Sequence, residues 1–105
     1  MNNGSFLDYI LDLIEPLNPL HTKKLFGGIA ILKNNITFAM VFKETLYLKT
    51  DKTNKENFLK YNSKPLSYKK KGNTINLRYL EIPIEILDDP EELINWCEKS
   101  IKLKI

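Results

Sequence analysis

Residues 25–42, LFGGIAILKNNITFAMVF, contain two apolar runs separated by Asn34-Asn35. The first run includes a pair of glycines. Short runs rich in β-branched and aromatic residues are typical of strands, and Asn accepts the positive φ angles of a two-residue hairpin turn. We therefore predict a strand over residues 25–33 and a return strand over residues 36–43. Alternation along the return strand predicts that four side chains share one face: Ile36, Phe38, Met40 and Phe42.

The pair Gly27-Gly28 allows two interpretations. A phosphate-binding loop needs GxxxxGK[ST] or GxGxxG at the start of a helix, because backbone amides and the helix N-terminus must face the phosphates. Neither pattern is present, and the residues that follow are strand-like. Glycine within a strand marks a bulge, a bend or a close backbone approach. We therefore predict that the two glycines have a structural role.

The flanking segments predict three helices and three more strands. Apolar residues at helical spacing follow Ser5, which suits an N-cap, and the pattern ends at Pro16. Residues 21–24 are polar and are interpreted as a linker. The other predicted elements are, in order, a turn at 44–45, a strand over 46–50, a helix over 51–61 capped by Thr50 or Asp51, a strand over 65–69, a turn at 71–73 and a strand over 75–82 with Ile75, Leu77 and Tyr79 facing the core.

The last helix has the clearest start signal. Asp89 can accept hydrogen bonds from first-turn amides, and Pro90 suits the first helical position. Its predicted buried stripe consists of Leu93, Trp96, Cys97 and Ile101. The element order is therefore α-β-β-β-α-β-β-α. We predict one α+β domain over residues 1–105, with a single five-stranded antiparallel sheet and helices on one face, giving two layers. An open sheet has two edges, through which a homodimer could form.

Composition excludes several classes of chemistry. The chain has 105 residues, 43% hydrophobic and 28% charged, with one cysteine, Cys97, and one histidine, His21. These numbers predict no disulfide framework and no metal site, and no nucleophile can be paired with a base from named residues. The N-terminus has no basic segment typical of a signal peptide, and no apolar run is long enough for a membrane helix. We expect a cytoplasmic protein that is not an enzyme and has no cofactor, no metal and no membrane contact.

Charge is distributed unevenly. Residues 49–71 contain eight lysines against Asp51 and Glu56, whereas residues 81–98 contain seven acids and no base. The basic segment can be a solvated face or a surface for an anionic partner. Tyr61 and Tyr68 interleave with Lys69, Lys70 and Lys71, which leaves nucleic-acid binding as an alternative. The single arginine and the absence of a basic recognition helix in the pattern count against that alternative.

Several short motifs occur in a fixed order: FGG at 26–28, FA at 38–39, LYLK-x-D at 46–51, KG at 71–72 and L-D-D…L…W at 87–96. In this order and spacing the chain resembles the N-terminal domain of the TfoX/Sxy family, regulators of natural DNA competence in bacteria. The motif residues for which the resemblance implies a structural role are Phe26, Gly27, Gly28, Tyr47, Tyr68, Gly72, Tyr79, Asp89 and Trp96.

The resemblance implies an α+β domain without a catalytic site or a cofactor. Two-domain members act as transcriptional co-activators with the cyclic-AMP receptor protein, and this chain ends at Ile105, so we expect a stand-alone member. We predict a regulatory or adaptor domain that acts in transcriptional regulation by binding a protein, such as a transcription factor, with direct nucleic-acid binding as the alternative. The candidate contact residues are Lys49, Lys69, Lys70, Lys71 and Arg78.

Overall fold

The computed structural model describes residues 3–25 and 27–103. The elements are α1 (Asn3–Leu13), a 3₁₀ turn (Glu15–Leu17), β1 (His21–Leu25), β2 (Gly28–Lys33), β3 (Ile36–Phe42), β4 (Thr45–Lys49), α2 (Lys55–Leu59), β5 (Pro65–Lys70), β6 (Asn73–Glu81), α3 (Ile84–Leu87) and α4 (Pro90–Ile101). No helix within these described ranges is both long enough and apolar enough to cross a membrane.

One antiparallel sheet of six strands runs in the order β1-β2-β3-β4-β6-β5. The α+β class and the antiparallel pairing are confirmed, but the predicted number of five strands is wrong. The interpretation of residues 21–24 as a linker fails because they form β1, an edge strand whose residues His21 to Lys24 are all exposed. An exposed edge strand buries no face, so its sequence carries no alternating apolar pattern.

Three two-residue turns set the local pairing. Both central residues have positive φ in each turn: 53° and 64° at Asn34-Asn35, 48° and 57° at Lys43-Glu44, and 50° and 81° at Lys71-Gly72. Such turns match the right-handed twist of the strands they join. The turn at Asn34-Asn35 is confirmed, and the turn predicted at 44–45 lies one residue earlier.

The main core lies between the sheet and the helices α1, α2 and α4. Phe58 of α2 meets Trp96 of α4 edge to face, with ring centroids 4.7 Å apart. The buried residues of this core are Ile10, Ile14, Leu17, Ile31, Phe38, Ala39, Val41, Leu46, Leu48, Phe58, Leu80, Ile82, Ile86, Leu93, Trp96 and Cys97. All the largest members are β-branched, Leu or aromatic residues, as expected for a core that closes a two-layer fold.

A bulge in β3 changes the predicted faces of that strand. Ile31 pairs with Ala39, but Leu32 pairs with Thr37, so Phe38 is an extra residue in the ladder. Phe38 and Ala39 both join the helix-side core, whereas Met40 belongs to a second cluster on the other face. The prediction that Phe38 and Met40 share a face is therefore wrong, since a bulge interrupts the two-residue alternation.

The helix ends differ in part from the sequence predictions. Ser5 lies inside α1 and is not its cap, and α2 begins after Asn54 instead of Thr50 or Asp51. The short helix α3 was not predicted. The start of α4 is confirmed, because Asp89 Oδ1 accepts a hydrogen bond from the backbone N–H of Glu92 at 3.2 Å with Pro90 at the first position. Leu93, Trp96 and Cys97 are buried as predicted.

Candidate functional site

The two glycines lie where β1 turns into β2. Gly27 has a φ of 78° in the turn, a conformation that L side chains rarely adopt. A Cβ on Gly28 would lie 2.6 Å from the carbonyl oxygen of Val41 and 3.3 Å from Cδ1 of Phe42. The pair therefore combines a bend with a close backbone approach, and the Phe42 ring occupies the space over it. The predicted structural role is supported by this geometry.

The five predicted contact cations do not form one surface. Lys69, Lys70 and Lys71 are exposed together where β5 turns into β6. Arg78 is exposed, but it lines a cleft on the helix side of β6. Lys49 is paired with Tyr79 across β4 and β6, on the opposite face from Arg78.

Lys49 is 9% exposed, so the prediction that it is an exposed contact residue is wrong. Burial lowers the pKa of its ammonium group, since the charged form loses water on folding. Its backbone carbonyl is also engaged: Ser100 Oγ donates to it at 2.8 Å and Asn54 Nδ2 at 3.1 Å. Hydrogen bonds from Asn54, the residue before α2, and from Ser100 of α4 therefore hold the end of β4 in place.

Asn54 is the centre of this hydrogen-bond cluster and is 2% exposed. Its Oδ1 accepts from the backbone N–H of Asp51 at 2.9 Å, while its Nδ2 donates to Lys49 and approaches Ser100 Oγ at 3.4 Å. Buried polar groups of this kind must be paired, because an unpaired one loses its hydration without compensation. Asn54 thereby joins β4, the following turn and α4.

A cleft of about 910 Å³ lies between the segment after β4 and strands β5 and β6. Lys52, Lys55 and Arg78 bring positive charge to it. The hydroxyl and the backbone N–H of Thr53 donate to Asp51 Oδ1 at 2.6 and 2.7 Å, and these hydrogen bonds lower the pKa of Asp51, with a smaller effect from Arg78. The Asp51 carboxylate therefore already accepts hydrogen bonds from within its own turn.

The face of the sheet opposite the helices carries the second apolar cluster. Ala30, Leu32, Met40 and Leu66 are buried there, and the partly buried residues packed against them are Leu25, Phe42, Tyr47, Leu77 and Tyr79. All nine belong to strands, so within the described residues this cluster is covered by strand side chains and not by a helix. Leu77 and Tyr79 thus face this cluster, whereas Ile75, predicted to face the core, is 36% exposed. We call this surface the open face.

The two residues that could have formed a nucleophile and base pair lie on different elements, Cys97 on α4 and His21 on β1. Cys97 is buried in the main core, and burial, with a smaller effect of Glu98, raises the pKa of its thiol to about 12. A thiol that stays protonated is a poor nucleophile. His21 is exposed on the edge strand β1. In the part of the chain that the structure describes, no three His, Cys, Asp or Glu side chains are grouped as metal ligands.

A family model described as the TfoX N-terminal domain matches residues 12–103, which is nearly the whole chain. The chain belongs to the TfoX N-terminal domain family. The resemblance inferred from the motifs is thus confirmed. No curated protein matches the chain.

In this TfoX N-terminal domain the motif residues serve mainly the fold. Gly72 closes the β5–β6 turn, Asp89 caps α4 and Trp96 packs on Phe58. Tyr47 and Tyr79 belong to the open face, and Tyr68 is 39% exposed on β5. Phe26 lies outside the described residues.

Two groupings in the TfoX N-terminal domain could not be found from the sequence. Tyr61, which the sequence grouped with Tyr68, packs against Trp96 on the helix side, with centroids 6.1 Å apart. Phe42, Tyr47 and Tyr79 meet on the open face although they lie on three strands. The only sequence signal for this second grouping is the alternation of aromatic and polar residues, which does not state which strands are neighbours.

Proposed function

We propose that the chain is a non-enzymatic regulatory or adaptor domain of the cytoplasm that acts in transcriptional regulation by binding a protein, such as a transcription factor. Membership of the TfoX N-terminal domain family supports this proposal, and the family's connection with competence makes DNA transformation the first process to test. Burial of Cys97 in the core, which raises the pKa of its thiol to about 12, and the exposed position of His21 on β1 also favour a binding role over catalysis.

The β5–β6 hairpin is the observation that carries this proposal. Tyr68 and Ile75 are directly opposite each other in the hairpin and are 39% and 36% exposed. Lys70 is exposed on the same face as this pair, and Lys69 and Lys71 are exposed beside it in the hairpin. An apolar pair with an aromatic member inside a charged rim is the usual composition of a protein interface.

A capture experiment with charge-reversed variants tests this proposal. Three proteins are compared: the parent chain, the hairpin variant K69E/K70E/K71E and the control variant K60E/K99E/K102E. Thermal unfolding curves of separate samples first establish that all three are folded. Each protein is then immobilised and exposed to native lysate. The control changes three exposed lysines outside the hairpin, so the change in net charge is the same.

We expect the parent and the control to retain the same protein at near-equal molar amount, and the hairpin variant to lose it. Reconstitution from purified components then establishes direct binding. Equal retention by both variants would contradict the hairpin as the interface, and the absence of any stoichiometric protein would contradict the adaptor function.

A further inference from the structure

Three aromatic side chains form a straight diagonal row on the open face. Met40 pairs with Tyr47 and Phe42 with Thr45, so Phe42 is the diagonal neighbour of Tyr47. Tyr47 pairs with Glu81 and Lys49 with Tyr79, so Tyr47 is in turn the diagonal neighbour of Tyr79. The row Phe42–Tyr47–Tyr79 therefore crosses β3, β4 and β6 in one direction.

The spacing of this row suits a chain of stacked planar groups. Diagonal neighbours in an antiparallel sheet are about 7 Å apart. This distance between neighbouring rings is roughly twice the 3.4 Å rise per base of one strand in a DNA duplex. It therefore suits an extended single strand, in which successive bases are separated from one another. Each of the three side chains is partly buried and packs against the second apolar cluster.

The row rests on a rigid support. Met40, Ala30 and Leu66 are 1%, 0% and 5% exposed beneath these side chains. Phe42 is further fixed over Gly28, where the missing Cβ leaves room for its ring. Rings held in this way lose little conformational entropy when a ligand stacks on them.

Charge on the open face is mainly positive. Lys23 pairs with Ala30, Lys49 with Tyr79 and Lys70 with Asn73, which places three lysines at strand positions of this face. Glu81, opposite Tyr47, is the acid at these strand positions. At one end of the row, Lys43 Nζ lies 5.3 Å from the centroid of Phe42, with the exposed Glu44 beside it in the turn.

Lys49 is the most informative of these cations. It lies directly across from Tyr79, the residue is 9% exposed, and burial lowers the pKa of its ammonium group. A buried charge is normally compensated by an opposite charge. An anion bound beside Tyr79 would supply that compensation.

We propose that the open face binds single-stranded nucleic acid, with bases stacking on Phe42, Tyr47 and Tyr79 and phosphates contacting Lys23, Lys43, Lys49 and Lys70. Binding then moves the Lys43 ammonium from the Phe42 ring to a phosphate. The evenly spaced rings favour single-stranded nucleic acid over an acidic peptide, which has no planar groups to stack. They also favour it over a duplex, whose bases are inaccessible to stacking. This activity goes beyond the proposed adaptor function: it depends on the aromatic row of β3, β4 and β6, and it shares Lys70 with the hairpin surface.

Fluorescence anisotropy with labelled 12-nucleotide oligo(dT) and oligo(U) tests the proposal on the full chain. The variants Tyr47→Leu, Tyr79→Leu and Lys49→Met keep apolar cover over the second cluster. The matched controls Tyr61→Leu and Lys99→Met change exposed residues on the helix side. The two probes differ in the 2′-hydroxyl, so they report which nucleic acid is preferred.

We expect Tyr47→Leu and Tyr79→Leu each to weaken binding about tenfold, the loss typical of one stacked base. Lys49→Met should weaken binding and make the salt dependence less steep, because it removes one phosphate contact, while both controls bind as the parent does. The logarithm of the association constant should fall with that of the salt concentration with a slope of about −3 for four phosphates. Amide NMR shifts should map to β3, β4 and β6, a readout on the parent chain that does not depend on the variants folding.

Four outcomes would overturn the proposal. They are no binding of either probe at low salt, equal affinity for a duplex, equal competition by poly-glutamate, and binding that survives the Tyr→Leu variants but is lost in K69E/K70E/K71E. The capture experiment scores a retained protein and not an oligonucleotide, so a failure here leaves the adaptor function standing.

Discussion

The ring of Phe42 lies against the backbone of Gly28, on a neighbouring strand of the hairpin, at a distance that leaves no room for a side chain. A Cβ on Gly28 would be 3.3 Å from Cδ1 of Phe42 and 2.6 Å from the carbonyl oxygen of Val41. The double glycine therefore serves packing between β2 and β3, and it fixes one member of the aromatic row.

Gly28→Ala should lower the free energy of unfolding by about 3 kcal/mol, at the upper end for overpacking, because the obstructing atom belongs to the backbone and cannot rotate away. Urea denaturation measures the change. The control Gly72→Asn should change stability by less than about 1 kcal/mol, since Gly72 has a φ of 81°, which Asn tolerates, and nothing within 4 Å of its Cβ position. A Gly28→Ala variant as stable as the parent would contradict this packing.

Asn54→Ala should cost about 2 kcal/mol, because the backbone N–H of Asp51 and the carbonyl of Lys49 lose a buried partner. Asn95→Ala, at an exposed position of α4, is the control and should be nearly neutral. Since Ser100 donates to the same carbonyl, the effects of Asn54→Ala and Ser100→Ala should not add. Additive losses in a double-mutant cycle would show that the cluster is not one unit.

Lys49→Met should raise the free energy of unfolding at pH 7 by less than about 1 kcal/mol, because the variant removes a charged group that folding desolvates only in part. Burial lowers the pKa of Lys49 in the folded state from its ordinary 10.5. Between these two values the unfolded chain holds the proton more tightly, so the parent gains stability as pH rises through that window. The variant should lack this gain in thermal unfolding across the pH range.

Lys99→Met, which removes an exposed lysine of α4, should leave both the stability and its pH dependence unchanged. A loss of stability in Lys49→Met would mean that the ammonium group is compensated within the fold. Together with weaker nucleic-acid binding, a gain would identify Lys49 as a residue that serves binding at the expense of stability.

Cys97 should react with a thiol reagent only through unfolding, since burial raises the pKa of its thiol to about 12. The labelling rate at pH 8 should follow the unfolded fraction as urea is increased. Because the folded thiol keeps its proton above pH 9, where the unfolded thiol ionises, stability should fall between about pH 9 and 12. Cys97→Ala should remove that part of the fall, and rapid labelling without urea would contradict the buried position.

Particular elements show how far sequence reasoning reaches in this fold. The turn at Asn34-Asn35 and the start of α4 at Asp89-Pro90 were predictable, because a few adjacent residues supply the required φ angles and hydrogen-bond acceptors. β1 was not, because a polar edge strand gains its hydrogen bonds from β2 and buries no face. The cap of α2 was misplaced because the side chain of Asn54 bonds to the carbonyl of Lys49 and to Ser100, 46 residues away, and not to the first turn of the helix.

The two candidate surfaces also differ in how far the sequence predicts them. The cluster Lys69-Lys70-Lys71 was visible in the sequence and is exposed in the fold, since a hairpin turn places adjacent residues together. The burial of Lys49 and the row of Phe42, Tyr47 and Tyr79 depend on β4 lying beside β6, a pairing of residues about 30 apart in the chain. Local composition contains no information on that pairing.

The residues alone determine the fold class, the tight turns and most of the strands, because those features depend on contacts between near neighbours. They also determine the family, because its short motifs occur in a fixed order along the chain. The edge strand, the bulge at Phe38 and the identity of the side chains on each face come from long-range packing. There the burial of the whole sheet outweighs the preference of any single segment, and the same polar or aromatic residue can lie in the core or at the surface.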